Sequence, residues 1–218
     1  MIDTERIAVE CWIESAHRSG WEISRETCLA MVGMDDRASR VRLLQAEGGH
    51  AGDGHSGTGG PFPLEEISAR ARVRYRQRLN DEGIGLKPGI IELLDWLDAS
   101  GIPKAVATST IAEMAQEKLV LSGLRNRFHT IVCGDQVAKT KPAPDIYLEA
   151  AAQLGQTASA CIALEDSDVG LRAAHAAGLA CIVVPDLQPL RPQYAGLAHT
   201  IVRNLDEAQT VVQQLLGR

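Results

Sequence analysis

Residues 161–177 read CIALEDSDVGLRAAHAA, and this stretch holds the smallest complete unit of the fold. Its first five residues, 161–165, are mostly apolar and predict a buried β-strand. The strand ends on two adjacent carboxylates, Glu165 and Asp166, and a helix is predicted directly afterwards, over 168–177. A short apolar strand that passes straight into a helix is the βα unit from which parallel sheets are built.

The same alternation of strand and helix extends from this unit in both directions. Strands that alternate with helices predict an α/β fold, here a Rossmann-like, doubly wound parallel sheet. Sheets of this kind bind ligands at the carboxyl ends of their strands. The predicted strands are 104–108, 130–134, 161–165 and 181–185, and the predicted helices are 89–100, 111–121, 145–154, 168–177 and one that begins near 205.

The chain before residue 85 is predicted to be helical instead. We therefore expect a helical cap domain over 3–84 and a Rossmann-like core over 85–218. On the fourth predicted helix, arginines at every second position from 70 to 78 predict a solvated polar face, with a phosphate-attracting surface as the alternative. The four helices are expected from 7 to near 20, from a cap at Ser24 to 33, from Asp35 or Asp36 to about 46, and from 64 to about 80.

A glycine-rich stretch interrupts these helices at 47–63, EGGHAGDGHSGTGGPFP. It contains Gly52-x-Gly54-x-x-Gly57, the spacing of a dinucleotide-binding turn, but that turn functions only between a strand and a helix. We predict a mobile loop over 48–60 that binds no dinucleotide. Its His50 and His55 are expected to be solvated rather than metal ligands.

Composition excludes several classes of protein. The 218 residues carry a net charge of −6, which argues against a dedicated nucleic-acid binder but leaves a small phosphorylated metabolite open. No apolar run approaches the ~20 residues of a membrane-spanning helix. The five cysteines form no CxxC pair and are expected to be free thiols, with Cys133, Cys161 and Cys181 buried, in a cytoplasmic protein. The oligomeric state stays open.

Candidate catalytic and binding residues lie next to three of the predicted structural elements. Thr108 and Ser109 end a strand, where hydroxyls and free N–H groups form a cradle for an oxyanion. Lys141 lies just before a helix that begins on a proline, and the adjacent carboxylates of Glu165 and Asp166 require a cation such as Mg²⁺. Each also has an ordinary alternative as a helix cap or a solvated loop lysine. We expect these side chains to meet at one edge of the sheet.

Together, three segments resemble the haloacid dehalogenase superfamily, in its branch of small phosphatases and β-phosphoglucomutase-like enzymes with a helical cap. The segments are LKPGIIELLDWLDASGIPKAVATST (86–110), GDQVAKTKPAPDIYLEAA (134–151) and CIALEDSDVGLRAAHAAG (161–178). The resemblance implies that Thr108 hydrogen-bonds the transferring phosphoryl group, with Ser109 beside it. It further implies that Lys141 neutralises charge there, and that Glu165 and Asp166 hold Mg²⁺.

The resemblance also implies an activity. We expect a Mg²⁺-dependent phosphatase of a small phosphorylated metabolite that acts through an aspartyl phosphate. A sugar-phosphate mutase and a non-catalytic relative that binds phosphate and metal remain alternatives. Arg37 and Arg40 are candidate substrate contacts, with ordinary surface arginines as the other interpretation.

The first residues, MIDTE, match only the tail of that family's first motif, Asp-x-Asp-Gly-x-x-x-Asp-(Ser/Thr)-Glu. By resemblance, its first two aspartates are the nucleophile and the general acid/base, on a strand between those ending at Thr108 and Leu164. We therefore expect the printed chain to be inactive, with unpaired strand edges or direct pairing of the two flanking strands. A start codon assigned at an internal methionine, an artificial cut and a natural truncation are the open explanations.

Overall fold

A computed structural model describes residues 1–31, 36–47 and 62–217. The chain divides into two compact units, the helical unit Ile2–Gly85 and the α/β unit of Met1 with Leu86–Arg218. In the helical unit, Asp3 N donates to Gly85 O at 2.8 Å, and in the α/β unit Lys87 N donates to Met1 O at 2.8 Å. No helix among the described residues has the length and apolar character needed to cross a bilayer.

The helical unit contains helices at the four predicted places. Ser24 caps α2 as predicted, since its side chain accepts a hydrogen bond from Thr27 N at 3.0 Å. The helix ends at Leu29, short of the predicted end near 33. The bounds are α1 Glu5–Arg18, α2 Arg25–Leu29, α3 Asp36–Glu47 and α4 Leu64–Glu82.

Helices α1 and α4 are joined by a buried apolar contact and by ion pairs. Ile7 and Cys11 of α1 pack with Leu79 of α4. Beside them, Arg78 Nη1 lies 2.7 Å from Glu10 Oε2, and Arg74 pairs with Glu14. The prediction of a simply solvated arginine face is therefore wrong for these two arginines, because the facing helix supplies carboxylates for them.

The α/β unit contains parallel strands, which confirms the predicted fold class. Strand β1 pairs with β2, and β3 pairs with β4, which pairs with β5. The fifth strand escaped sequence analysis because it has two residues. The strands are β1 Ala105–Thr108, β2 Thr130–Cys133, β3 Ile162–Glu165, β4 Ala180–Val183 and β5 Thr200–Ile201; the helices are α5 Ile90–Ala99, α6 Ala112–Leu121, α7 Asp145–Gln153, α8 Asp168–Ala176 and α9 Leu205–Leu215.

The strands of the described residues form two sheets, β1–β2 and β3–β4–β5, and β1 does not pair with β3. Direct pairing of those two strands, one of the predicted outcomes, is therefore not found in this part of the chain. The neighbouring side chains of β3 differ sharply in exposure, since Ala163 is 5% exposed and Leu164 is 37% exposed. Parallel sheets normally bury both faces. The face of β3 that carries Leu164 is thus incompletely covered.

The core of the α/β unit lies between the strands and helices α7 and α8. Fully buried Val132 and Val183 of the strands pack with Ile146 and Leu171 of the helices. All five cysteines are free thiols; Cys133 and Cys181 are buried as predicted, whereas Cys161 is half-buried. Burial chiefly raises the pKa of Cys181 to about 12, so this thiol stays protonated and behaves as a small apolar side chain.

A cluster of charges ties α5 to the start of β1. The side chain of Lys104 is 4% exposed and binds Asp98. Arg127 Nη2 also lies 2.8 Å from Asp98 Oδ2 and 2.7 Å from Asp95 Oδ1. The hydrogen bonds from Lys104 and then Arg127 lower the pKa of Asp98 below its ordinary value.

We predict that Asp98→Asn lowers the melting temperature at pH 7, because the buried Lys104 ammonium then loses its ionised partner. The lowered pKa means that the Asp98 carboxylate stabilises the fold above its unfolded pKa of about 4, and that this contribution disappears as pH falls through the folded pKa. Thermal melts from pH 7 to 2.5 should therefore show the two proteins converging at acid pH. Glu92→Gln, which removes an exposed carboxylate from the same helix, is the control; an equal effect from it would contradict the assignment.

Candidate active site

The carboxyl end of β1 presents hydroxyls and backbone groups held in a compact turn. Thr110 N donates to Thr108 Oγ1 at 3.2 Å, and Gly134 N donates to Thr110 O at 3.1 Å. A Cβ atom at Gly134 would overlap the carbonyl of Ser109. Glycine therefore lets the end of β2 approach the Thr108–Thr110 turn closely.

Helix α6, which follows this turn, does not use Thr110 as its cap. Its N-cap residue is Ile111, which provides no side-chain hydrogen bond. Instead, Asp135 Oδ1 accepts a hydrogen bond from Ala112 N at 2.9 Å. The hydroxyl of Thr110 is thus not occupied in capping the helix.

Lys141 lies in a buried ion pair rather than in solvent. Its Nζ is 2.5 Å from Glu165 Oε1, and both side chains are 8% exposed. The same Nζ donates to the Ala107 carbonyl at 3.0 Å. One ammonium group therefore contacts both the end of β1 and the end of β3, which belong to different sheets.

Tyr147 completes this cluster, and sequence analysis did not identify it. Its hydroxyl donates to Glu165 Oε1 and lies 3.3 Å from Lys141 Nζ, and its ring centroid is 4.8 Å from that Nζ. Burial, followed by the charge of Glu165, raises the pKa of Tyr147 well above its ordinary value. The phenol is thus a neutral donor. In the sequence, Tyr147 could have been noticed because it places a polar hydroxyl on the apolar face of the predicted 145–154 helix.

The second oxygen of Glu165 faces the start of α8. Ser167 Oγ donates to Glu165 Oε2 at 3.4 Å and accepts from Gly170 N at 3.2 Å, so Ser167 is the helix cap. A Cβ atom at Gly170 would overlap the Glu165 carboxylate. Asp166, adjacent to this carboxylate, is exposed and is not the residue that caps α8.

A further ion pair, which was also not predicted from the sequence, includes a carboxylate that follows β4. Lys87 Nζ is 2.7 Å from Asp186 Oδ1. Asp186 follows the apolar run CIVVP, so the rule that ligands gather at carboxyl ends of strands could have found it. Burial lowers the pKa of the Met1 amino group, and the charges of Asp166 and Asp186 act on it in the opposite direction.

The structure brings most of the predicted site residues together. Lys141 and Glu165 are in contact, Asp166 adjoins Glu165, and Thr108 and Ser109 continue the strand whose carbonyl Lys141 binds. In the helical unit, Arg40 pairs with Glu65 of α4. The side chain of Arg37 and the whole 48–60 stretch, with His50 and His55, lie outside the described residues.

The donor set fits a magnesium ion that takes part of its coordination from water and phosphate. Within the described ranges, no group of three or more His, Cys, Asp or Glu side chains is arranged to hold a metal. Mg²⁺, however, is usually bound through one or two carboxylates together with waters and substrate phosphates. Glu165 and Asp166 provide such a pair of carboxylates.

Comparison with known proteins identifies a matching family. A family model described as haloacid dehalogenase-like hydrolase matches residues 1–184. Protein CbbY from Rhodobacter capsulatus is 32% identical over 193 residues, which are 85% of this chain and 81% of that protein.

Two crystal structures are similar over nearly the whole chain. A CbbY mutant from Rhodobacter sphaeroides in complex with xylulose-(1,5)bisphosphate has a TM-score of 0.76 at 29% identity, covering 95% of this chain and 91% of that one. A putative β-phosphoglucomutase from Thermotoga maritima has a TM-score of 0.74 at 25% identity, covering 98% and 94%. With its α/β fold and the family model spanning most of its length, the chain belongs to the haloacid dehalogenase-like hydrolase family.

Proposed function

We propose that this protein is a Mg²⁺-dependent phosphatase of a small phosphorylated sugar. The observation that carries the proposal is the buried pair of Lys141 and Glu165, held at the carboxyl ends of β1 and β3. A lysine in a shielded position beside strand-end hydroxyls is suited to a phosphoryl group, because phosphoryl transfer depends mainly on positioning and charge neutralisation.

Each residue then has a distinct task. Lys141 neutralises negative charge on the phosphoryl oxygens, and its contact with the Ala107 carbonyl fixes the ammonium beside the end of β1. Thr108 and Ser109 donate hydrogen bonds to the same oxygens from the end of that strand. The turn that Gly134 permits keeps these donors in place before the substrate arrives.

Glu165 and Asp166 would hold the Mg²⁺ ion. When bound, the ion neutralises the charge that develops on the phosphoryl group and orients it. The two carboxylates differ in environment, since the side chain of Glu165 is 8% exposed and Asp166 is exposed. Asp166 is thus the more solvent-exposed of the two carboxylates.

The substrate class rests on the relatives. One similar CbbY structure contains xylulose-(1,5)bisphosphate, which favours a sugar phosphate for this protein. Similarity to a putative β-phosphoglucomutase favours a sugar-phosphate mutase as the second candidate. Product analysis separates them, because a phosphatase releases inorganic phosphate whereas a mutase returns an isomeric sugar phosphate. We further propose that the helical unit acts as the cap, with Arg40 as a candidate substrate contact. The five free thiols are consistent with a reducing cytoplasm, which we propose as the location of the protein.

We predict that Lys141→Ala weakens binding of inorganic phosphate by at least about tenfold, because a hydrogen bond to a charged group contributes about 1.5–3 kcal/mol. Isothermal titration calorimetry in Mg²⁺ measures this, with melting temperature recorded for each variant. Arg70→Ala is the matched control, since Arg70 forms an exposed ion pair with Glu66 on its own helix. Equal losses from both substitutions would show that Lys141 does not bind phosphate.

A second prediction concerns turnover. By resemblance, hydrolysis passes through an aspartyl phosphate, and no residue of the printed chain matches the two aspartates of the first motif. We expect no phosphate release from phosphate esters by the printed chain, and release once a strand carrying Asp-x-Asp-Gly is joined ahead of it. Turnover by the printed chain that Lys141→Ala abolishes would show that another residue is the nucleophile.

A further inference from the structure

We propose that Tyr147 is a positioning residue of this site. Its hydroxyl holds the Glu165 carboxylate in place and allows Lys141 to transfer a hydrogen bond to a bound phosphate. This inference rests on the proposed function, because it assigns Tyr147 a part in phosphate binding. The tyrosine acts through Glu165 and Lys141 and need not touch the substrate itself.

The contacts around Glu165 show how the carboxylate is fixed. Its Oε1 accepts from both Lys141 Nζ, at 2.5 Å, and the Tyr147 hydroxyl. Its Oε2 has the longer 3.4 Å contact with Ser167 Oγ. A Cβ atom at Gly170 would overlap the carboxylate, so glycine leaves room on that side. The carboxylate is thus held firmly through Oε1, and Oε2 is the less occupied oxygen.

The contacts around Lys141 show what the hydroxyl adds. An ammonium group has three N–H donors. The Lys141 ammonium has three oxygen partners within hydrogen-bond distance: the Ala107 carbonyl at 3.0 Å, the Tyr147 hydroxyl at 3.3 Å and Glu165 Oε1 at 2.5 Å. A phosphate oxygen can therefore bind Lys141 only if one of these contacts is released or shared.

Tyr147 reduces the cost of that exchange. If Lys141 turns a donor away from Glu165, the Tyr147 hydroxyl still donates to Oε1 of this buried carboxylate. Without the hydroxyl, Lys141 is the remaining donor to Oε1, so turning Lys141 away leaves this buried oxygen with neither donor, and an unsatisfied buried charge is expensive. The ring of Tyr147, 7% exposed and packed in the core, prevents the hydroxyl from following Lys141.

The test compares Tyr147→Phe with the unsubstituted chain. Phenylalanine keeps the buried ring and removes only the hydroxyl, so a large change in melting temperature is not expected. We expect binding of inorganic phosphate in Mg²⁺, measured by isothermal titration calorimetry, to weaken roughly tenfold, in the range found when a group that orients a metal ligand is removed. Tyr194→Phe, a tyrosine of the same unit stacked beside Arg172 and Arg191, is the control and should leave phosphate affinity unchanged.

Gly170→Ala provides an independent variant, because its methyl group displaces Glu165 from the opposite side without altering Tyr147. It should also weaken phosphate binding, and Tyr147→Phe should add little in the double variant. Phosphate affinity unchanged in Tyr147→Phe, or in Gly170→Ala should Tyr147→Phe not fold, would overturn the inference and leave the proposed function standing. If the unsubstituted chain binds no phosphate in Mg²⁺, the proposed function fails and this inference fails with it.

Discussion

The ion pair between Lys141 and Glu165 is the contact on which the α/β unit and its site both depend. Both side chains are 8% exposed, so neither charge is tolerated there without the other. The ammonium also binds the Ala107 carbonyl at the end of β1. Strands β1 and β3 do not pair in the described residues, and the lysine forms a direct polar link between their carboxyl ends. This interaction thus links the two sheets at the candidate site, in addition to the apolar core that they share.

The features that could be predicted from the sequence are those that depend on residues close together in the chain. Strands such as CIVVP can be recognised because their apolar runs must be buried, and the carboxyl-end rule then brings together Thr108, Lys141 and Glu165. Ion pairs and hydrogen bonds between residues far apart in the chain cannot be recognised in the same way. The alternating arginines gave no sign that Glu10 and Glu14 of α1 would face two of them. Tyr147 was missed because its ring fits an apolar helix face and its hydroxyl matters only once Glu165 is near.

The region between β1 and β3 is where the alternation of strands and helices no longer predicts the observed sheet. Leu164 is 37% exposed on a strand whose other residues are more covered, and two parallel sheets stand where alternation alone predicts one. Apolar exposure of this kind and an unpaired strand edge both favour pairing with a further strand. The resemblance places the strand of the first motif in this region. Among the described residues, the exposed side chain of Leu164 and the unpaired edge of β3 are thus the features that a further strand would cover.

The net charge of −6 sharpens the role assigned to Lys141, because a protein with this charge does not attract phosphate over long distances. Mobile ions screen exposed charges beyond about 8–10 Å, so the binding energy must come from groups next to the phosphate. A buried lysine can supply it only if its own carboxylate partner stays satisfied during the exchange. The Tyr147 hydroxyl meets that condition, since it donates to the same Glu165 oxygen as Lys141 and is fixed by a ring in the core. The buried pair therefore holds the Lys141 ammonium ready to bind phosphate. When Lys141 turns to the phosphate, the Glu165 carboxylate keeps the hydrogen bond from Tyr147.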